Sequence, residues 1–308
     1  MTLELHAQHH QTERQTEPRV RHSSTLILLR DQKDSDQIEV LLLRRSAQSR
    51  FLPSASVFPG GGVEDSDGEY AVSQLGEERC TQSVKAWDQW GFESEQAAIS
   101  SLGAALRETF EESGLPVAQL VDSSQALRCV GHWLTPAALK KRFDTYFWSA
   151  VLPSDYNPKL RVDELEIEDA SWWAPKEALD AYHSGILELP VPTLMILTEF
   201  AELLSQAPST SSSASHHLLS CLAEMPHSHP IQPILLGGEP LRLVFPGNRI
   251  YAEAAHHGEI NKAPERGFWQ GVDHYLLQDK ITAMSGVSGS QETLKRWKRV
   301  HCSSLKMS

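Results

Sequence analysis

Arg107-Glu108-Thr109-Phe110-Glu111-Glu112-Ser113-Gly114-Leu115 is the stretch on which the reading of this chain turns. Glu108, Glu111 and Glu112 are spaced i, i+3 and i+4, which puts three carboxylates on one face of a helix. Upstream, Ala97, Ala98, Leu102, Ala105, Leu106, Thr109 and Phe110 recur near the 3.6-residue period and predict a helix that begins at Glu95. Gly114 stops it and Pro116 follows, the expected order at a helix end. Three like charges repel, and in the last turns of a helix they also meet the negative end of its dipole. Folding alone does not favour this arrangement. A hard divalent cation would remove the penalty, because such ions prefer carboxylate oxygens. A solvated acidic face, with Arg107 paired to Glu111, is the other reading of the same residues.

Outward from the helix, Ala55–Phe58 reads as a short strand that ends at Pro59-Gly60-Gly61-Gly62. Glycines let a backbone come close to a ligand, and they also make plain turns. Residues 24–30 and 38–43 read as two strands of a hairpin, and 63–95 as an acidic, irregular segment holding Trp87 and Trp90. Residues 128–133 and 142–152 read as strands, and Trp172-Trp173 ends another. Pro175 and Pro192 open helices over 176–182 and 193–204. Strands mixed with helices in this order predict an α/β or α+β layered domain.

The expected organisation is a polar, disordered segment at 1–22, a main domain at 23–205 with an insertion at about 68–96, a Ser/His-rich linker at 206–230, and an extension at 231–308. Leu241–Phe245 would dock that extension on the main domain. The 308 residues carry a net charge of -12, which argues against a broad nucleic-acid-binding face. The absence of a long apolar run argues against a membrane span. The amino-terminal residues do not read as a secretory signal, and Lys306-Met307-Ser308 does not read as a peroxisomal address. Cys80, Cys129, Cys221 and Cys302 form no Cys-x-x-Cys pair, which points to a reducing compartment, with cytoplasm the expectation.

Together these pieces resemble the Nudix box: Gly, five residues, Glu, seven residues, then Arg-Glu-U-x-Glu-Glu-x-Gly-U, where U is aliphatic. Gly61 matches the first Gly; Arg107, Glu108, Glu111, Glu112, Gly114 and Leu115 match the second half. Asp67 stands at the first Glu and Thr109 at the first U, and 39 residues separate Asp67 from Arg107 where the pattern has seven. Upstream, Leu41-Leu42-Leu43-Arg44-Arg45-Ser46, Arg50, Ser54 and Phe58-Pro59-Gly60-Gly61 follow the spacing of the coenzyme A diphosphatases, with Leu43 in place of Thr and Ser54 in place of Gly. An interrupted box is similar to the acyl-coenzyme A branch of that family.

The resemblance implies a Nudix-type α/β/α sandwich with a central mixed sheet. It implies Mg²⁺ or Mn²⁺ held by Glu108, Glu111 and Glu112 with the Gly61 carbonyl, and Arg107 orienting the carboxylates. Glu166 is the expected further ligand from a later loop that also holds Glu164, Glu168 and Asp169. Arg45 and Arg50, beside Gly60 and Gly61, would receive phosphates of a coenzyme A-type substrate. The expected reaction is hydrolysis of the diphosphate in coenzyme A or acyl-coenzyme A, with no nucleic acid or membrane partner; a homodimer is also an expectation. Three alternatives stay open: another nucleotide diphosphate such as ADP-ribose, NADH or a nucleotide sugar; an idle nucleotide-binding sensor, given the shorter reach of Asp67 and the interrupted box; and an interaction protein built on 206–308. The insertion, with Trp87, Trp90 and Phe92, is either a lid or a surface loop packed by its aromatics.

Overall fold

A computed structural model describes residues 20–245 apart from 33–36, 50, 123–126, 138, 140, 154–155, 157–159, 163–164, 207–212, 224–228 and 237–241, and beyond them residues 272–277 and 297–301. The chain opens with β1 (Val20–Asp31) and β2 (Ile38–Arg45), then β3 (Ser56–Val57) and β4 (Gly60–Gly62). Helices α1 (Asp67–Leu75), α2 (Glu77–Val84), α3 (Glu95–Ser113) and α4 (Val117–Leu120) follow. Strands β5 (Arg128–Leu134), β6 (Arg142–Leu152) and β7 (Ile167–Trp173) complete a mixed sheet of order β3-β2-β1-β6-β5. In it β4 pairs with β1, β7 pairs with β2, and β1 runs parallel to β6.

Residues on alternate sides of β1 bury in different cores, as the period of two along a strand requires. Leu26 and Leu28 pack with Leu102 and Ala105 of α3. Ile27 and Leu29 pack with Leu197 and Phe200 of α6 (Val191–Ser205), over which α5 (Pro175–His183) also lies. Helices therefore cover both faces, which is the α/β/α sandwich expected from the sequence.

The structure corrects four local readings. The glycines 60–62 are not merely a turn: Gly60, Gly61 and Gly62 pair antiparallel with Thr25, Ser24 and Ser23. The acidic stretch after them is not irregular, because α1 and α2 occupy most of it. The segment expected to be a linker contains α7 (Ala214–Ala223), whose Leu218 and Leu222 are buried in the α6-side core. Asp31, at the end of β1, accepts hydrogen bonds from the Ser215 amide, the Ser215 hydroxyl and the Ser213 hydroxyl, and so caps α7 across a long stretch of sequence. The N-terminal segment also ends earlier than expected, since Val20–His22 already belong to β1.

After α7, strands β8 (Ile234–Leu236), β9 (Arg242–Val244), β10 (Val272–Leu277) and β11 (Trp297–His301) form a second antiparallel sheet. The Ile231 amide donates to the His132 carbonyl, and Leu243 and Phe245 are buried in the α6-side core. Both residues belong to the stretch Leu241–Phe245, of which Leu241 lies outside the described residues.

Candidate active site

Helix α3 begins where Ser94 accepts a hydrogen bond from the Ala97 amide, and ends where Gly114 takes a left-handed conformation (φ 73°) and donates to the Phe110 carbonyl. Its first half is anchored by Ala98, Leu102 and Ala105. Thr109, at a position where the box has an aliphatic residue, is fully buried, and its hydroxyl donates to the Ala105 carbonyl. That bond satisfies the polar group and lets a threonine fill an apolar site.

The carboxylate face lies over β4. Glu112, 5% exposed, accepts a 2.9 Å hydrogen bond from the Gly60 amide. Burial, outweighing that hydrogen bond, pushes its pKa up to about 8, with the charges of Glu108 and Glu166 adding to the rise and Arg45 opposing it. Glu108 is raised chiefly by burial, against the pull of Arg107. A Cβ on Gly61 would meet the Glu108 carboxylate, so a side chain there would push that carboxylate from its present place.

Arg107 ties the pieces together. Its Nε donates to Asp67 Oδ1 at 2.7 Å and its Nη2 to Asp67 Oδ2 at 3.1 Å, while Nη1 donates to Glu108 and Glu111 and Nη2 also to the Gly62 carbonyl. Asp67 is wholly buried and also accepts from the Glu64 amide. The aspartate therefore reaches the arginine despite its shorter side chain. It can do so because α1 lies against α3: a Cβ on Gly103 would collide with the Asp67 carbonyl. The interruption between Asp67 and Arg107 closes on itself, and the two halves of the box meet. Gly103 is a functional support that the sequence reading passed over; the signal was a lone glycine inside a strong helical pattern.

Of the four acidic residues around β7, Glu168 is committed to the Ala47 amide and to Arg44, and Asp169 accepts from Ser171. Glu164 lies outside the described residues. Glu166 is exposed, its carbonyl accepts from the Ser46 amide, and its charge acts on Glu112. The expected ligand is thus close enough to Glu112 to be felt electrostatically.

Arg45 also acts on Glu112, but its Nε donates to the Phe51 carbonyl and its Nη2 to Ser49, so part of its guanidinium braces the 46–51 loop. Arg50 lies outside the described residues. Just beyond that loop Leu52 and Ser54 have positive φ (50° and 60°), so Ser54, where the resembled pattern carries Gly, holds a left-handed conformation that favours glycine.

Asp144 hydrogen-bonds His132 at 2.6 Å and lies 3.5 Å from His22. His132 stacks on Tyr146, and Tyr146 stacks on Phe92 and donates to the Gly91 carbonyl. The aromatic end of the insertion is thus packed on the sheet, with Trp90 and Phe92 buried.

The donor set around α3 is all carboxylate and carbonyl oxygen, which fits Mg²⁺ or Mn²⁺ and not a soft metal. As placed, Glu108 and Glu111 turn to Arg107, and among the described residues no three acidic, His or Cys side chains converge on one point.

No family model matches the chain. An acyl-coenzyme A diphosphatase of Xenopus laevis is 28% identical over 228 residues, covering 52% of this chain and 59% of that protein. An acyl-coenzyme A diphosphatase of Gallus gallus is 25% identical over 283 residues, covering 70% of this chain and 73% of that one. The chain therefore spans less than two thirds of the length of the Xenopus relative. Among solved structures, a NUDIX hydrolase from Alicyclobacillus acidocaldarius is similar at 26% identity and a TM-score of 0.46, over 60% of this chain and 92% of that chain. A putative nudix hydrolase of Caenorhabditis elegans is 29% identical over 174 residues, covering 53% of this chain and 56% of that protein, and carries in its name the resemblance read from the box.

Proposed function

We propose that this chain, similar to the Nudix hydrolases in its box and in its relatives, is a metal-dependent diphosphatase that cleaves coenzyme A or acyl-coenzyme A to 3′,5′-ADP and (acyl-)4′-phosphopantetheine. The observation that carries the reading is the reassembly of the interrupted box, in which Asp67 pairs with Arg107 and Glu112 is held on the Gly60 amide. Names of the Xenopus and Gallus relatives support the coenzyme A substrate, as does the spacing of Arg45 and Arg50 ahead of the box.

Glu108, Glu111, Glu112, the Gly61 carbonyl and Glu166 would hold Mg²⁺ or Mn²⁺. When bound, such an ion neutralises phosphate charge and makes a coordinated water more acidic. The chain's own residues do the rest. Arg107 fixes the start of the carboxylate turn by holding Asp67, Glu108, Glu111 and the Gly62 carbonyl at once. Gly60 and Gly61 bring backbone against that turn without a side chain in the way. Arg45 supplies positive charge near Glu112, in a place to meet a substrate phosphate.

A binding module would have no use for three crowded carboxylates, and the Asp67 reach that favoured an idle sensor is not a defect in this fold. The test is incubation of the full chain with coenzyme A and Mg²⁺. Release of 3′,5′-ADP and 4′-phosphopantetheine by the wild type and not by Glu112→Gln is expected. No product from the wild type would sink the substrate assignment.

A further inference from the structure

We propose that the inserted helix α1 builds a subsite for the pantetheine arm of the substrate, beside the carboxylate helix. The inference rests on the coenzyme A reading above and adds to it where the arm lies. A groove of about 490 Å³ runs between α1, α3 and α4. That volume lies within the roughly 300–1,000 Å³ of small-molecule sites. Arg107 and Glu111 of the box are among its lining residues, so the groove borders the carboxylate turn. Its surface is mostly apolar. Phe110 of α3 is 49% exposed and is one of few large apolar side chains among the described residues left in solvent. Tyr70 of α1 also lines the groove, close enough to feel the charges of Glu111 and Arg107. Gln74 of α1 and Gln119 of α4 provide the amide groups of the lining.

This mixture matches one chemistry. The arm on the far side of the diphosphate from adenosine begins with a gem-dimethyl group a few bonds from the phosphate, then carries two amides. An apolar wall next to the phosphate site suits the methyl groups, and the two glutamine amides suit the amide bonds. A hydrocarbon acyl tail starts only beyond the whole arm, so it is remote from Glu111, and it would leave Gln74 and Gln119 unmatched. The insertion then has a role that neither a lid nor a passive surface loop describes: it supplies one wall of the substrate site.

The test uses the full chain with Mg²⁺ and reads inhibition of coenzyme A hydrolysis by each product separately. Phe110→Ser removes the apolar wall, and Gln74→Trp fills the groove from the α1 side. In both variants the inhibition constant of 4′-phosphopantetheine should rise about tenfold, while that of 3′,5′-ADP stays within about twofold. Unchanged inhibition by 4′-phosphopantetheine, or an equal rise for both products, overturns the subsite while coenzyme A cleavage keeps the function. An effect confined to long-chain acyl-coenzyme A assigns the groove to the acyl tail and overturns the proposal as well. No coenzyme A cleavage by the wild type overturns the substrate reading and the subsite with it.

Discussion

On the α6 side of the main sheet the core is largely aliphatic and aromatic: Ile27, Leu29, Val40 and Leu42 meet Leu197, Phe200 and Leu218. On the α3 side, Leu26, Leu28 and Leu41 do the same work near the middle of α3, but the carboxyl half of the helix buries Asp67 and Glu112. The first face is held by volume. The second is held by specific partners, because a buried charge is costly unless an opposite charge or a hydrogen bond meets it. The two faces should therefore fail in different ways when changed.

The largest expected effect is on the charged face. Glu112→Gln should lower kcat by at least about a thousandfold, or about 4 kcal/mol in the barrier, measured with coenzyme A and Mg²⁺. The same change should not unfold the protein, since a glutamine oxygen can still accept from the Gly60 amide. It should also alter the pH dependence of stability. In the fold the Glu112 pKa is raised to about 8 from an ordinary value near 4.5, so between those values the folded chain holds a proton that the unfolded chain has released. The metal-free wild type should therefore lose stability as pH rises through that window, and Glu112→Gln should flatten the loss. A wild-type Tm that rises from pH 5 to 8 by as much as the variant's would contradict this account.

Asp67→Ala comes next. It removes the buried partner of Arg107 and separates the two halves of the box. Breaking such a pair costs about 3 to 5 kcal/mol, readable in urea unfolding, and activity should fall with it. Wild-type stability with lost activity would mean that Asp67 serves the chemistry and not the junction. On the other face, Leu218→Ala in α7 should cost about 3 kcal/mol from lost burial and a cavity. It should leave the KM for coenzyme A unchanged. A change in KM there would break the separation of the two faces.

The same contrast explains what the sequence disclosed. The stripe from Ala98 to Leu106 and the stop at Gly114 carry the α3 helix in their own pattern, so its bounds were legible. The alternation-free runs in β1 and β2 announced strands buried on both sides. Strand β4 was not legible, because Gly60–Gly62 have no side chains to show a period; their pairing with Ser23–Thr25 comes from backbone alone. Helix α7 was hidden for a different reason. Its cap is Asp31, a residue almost the whole domain away, and its Ser- and His-rich composition imitates a linker. In the candidate site, the carboxylate spacing gave Glu108, Glu111 and Glu112. The fit of α1 against Gly103 depends on a contact that only the folded chain makes.

The smallest expected effect sharpens the comparison where it is subtlest, in the strained loop between β2 and β3. Leu52 and Ser54 both sit in the left-handed region, which costs a non-glycine residue about 1 to 2 kcal/mol. Leu52 is 8% exposed, so its burial offsets the strain, and Leu52→Gly should destabilise the protein. Ser54 is only partly buried and has no large apolar group to lose. Ser54→Gly should relieve the strain there, less the extra freedom glycine has in the unfolded chain, for a net gain of about 0.5 to 1 kcal/mol. Thermal unfolding of the two variants side by side reads this directly. If Ser54→Gly instead lowers Tm, the serine is making a stabilising contact in that loop, and the strain at 54 is held in place by the protein's own packing.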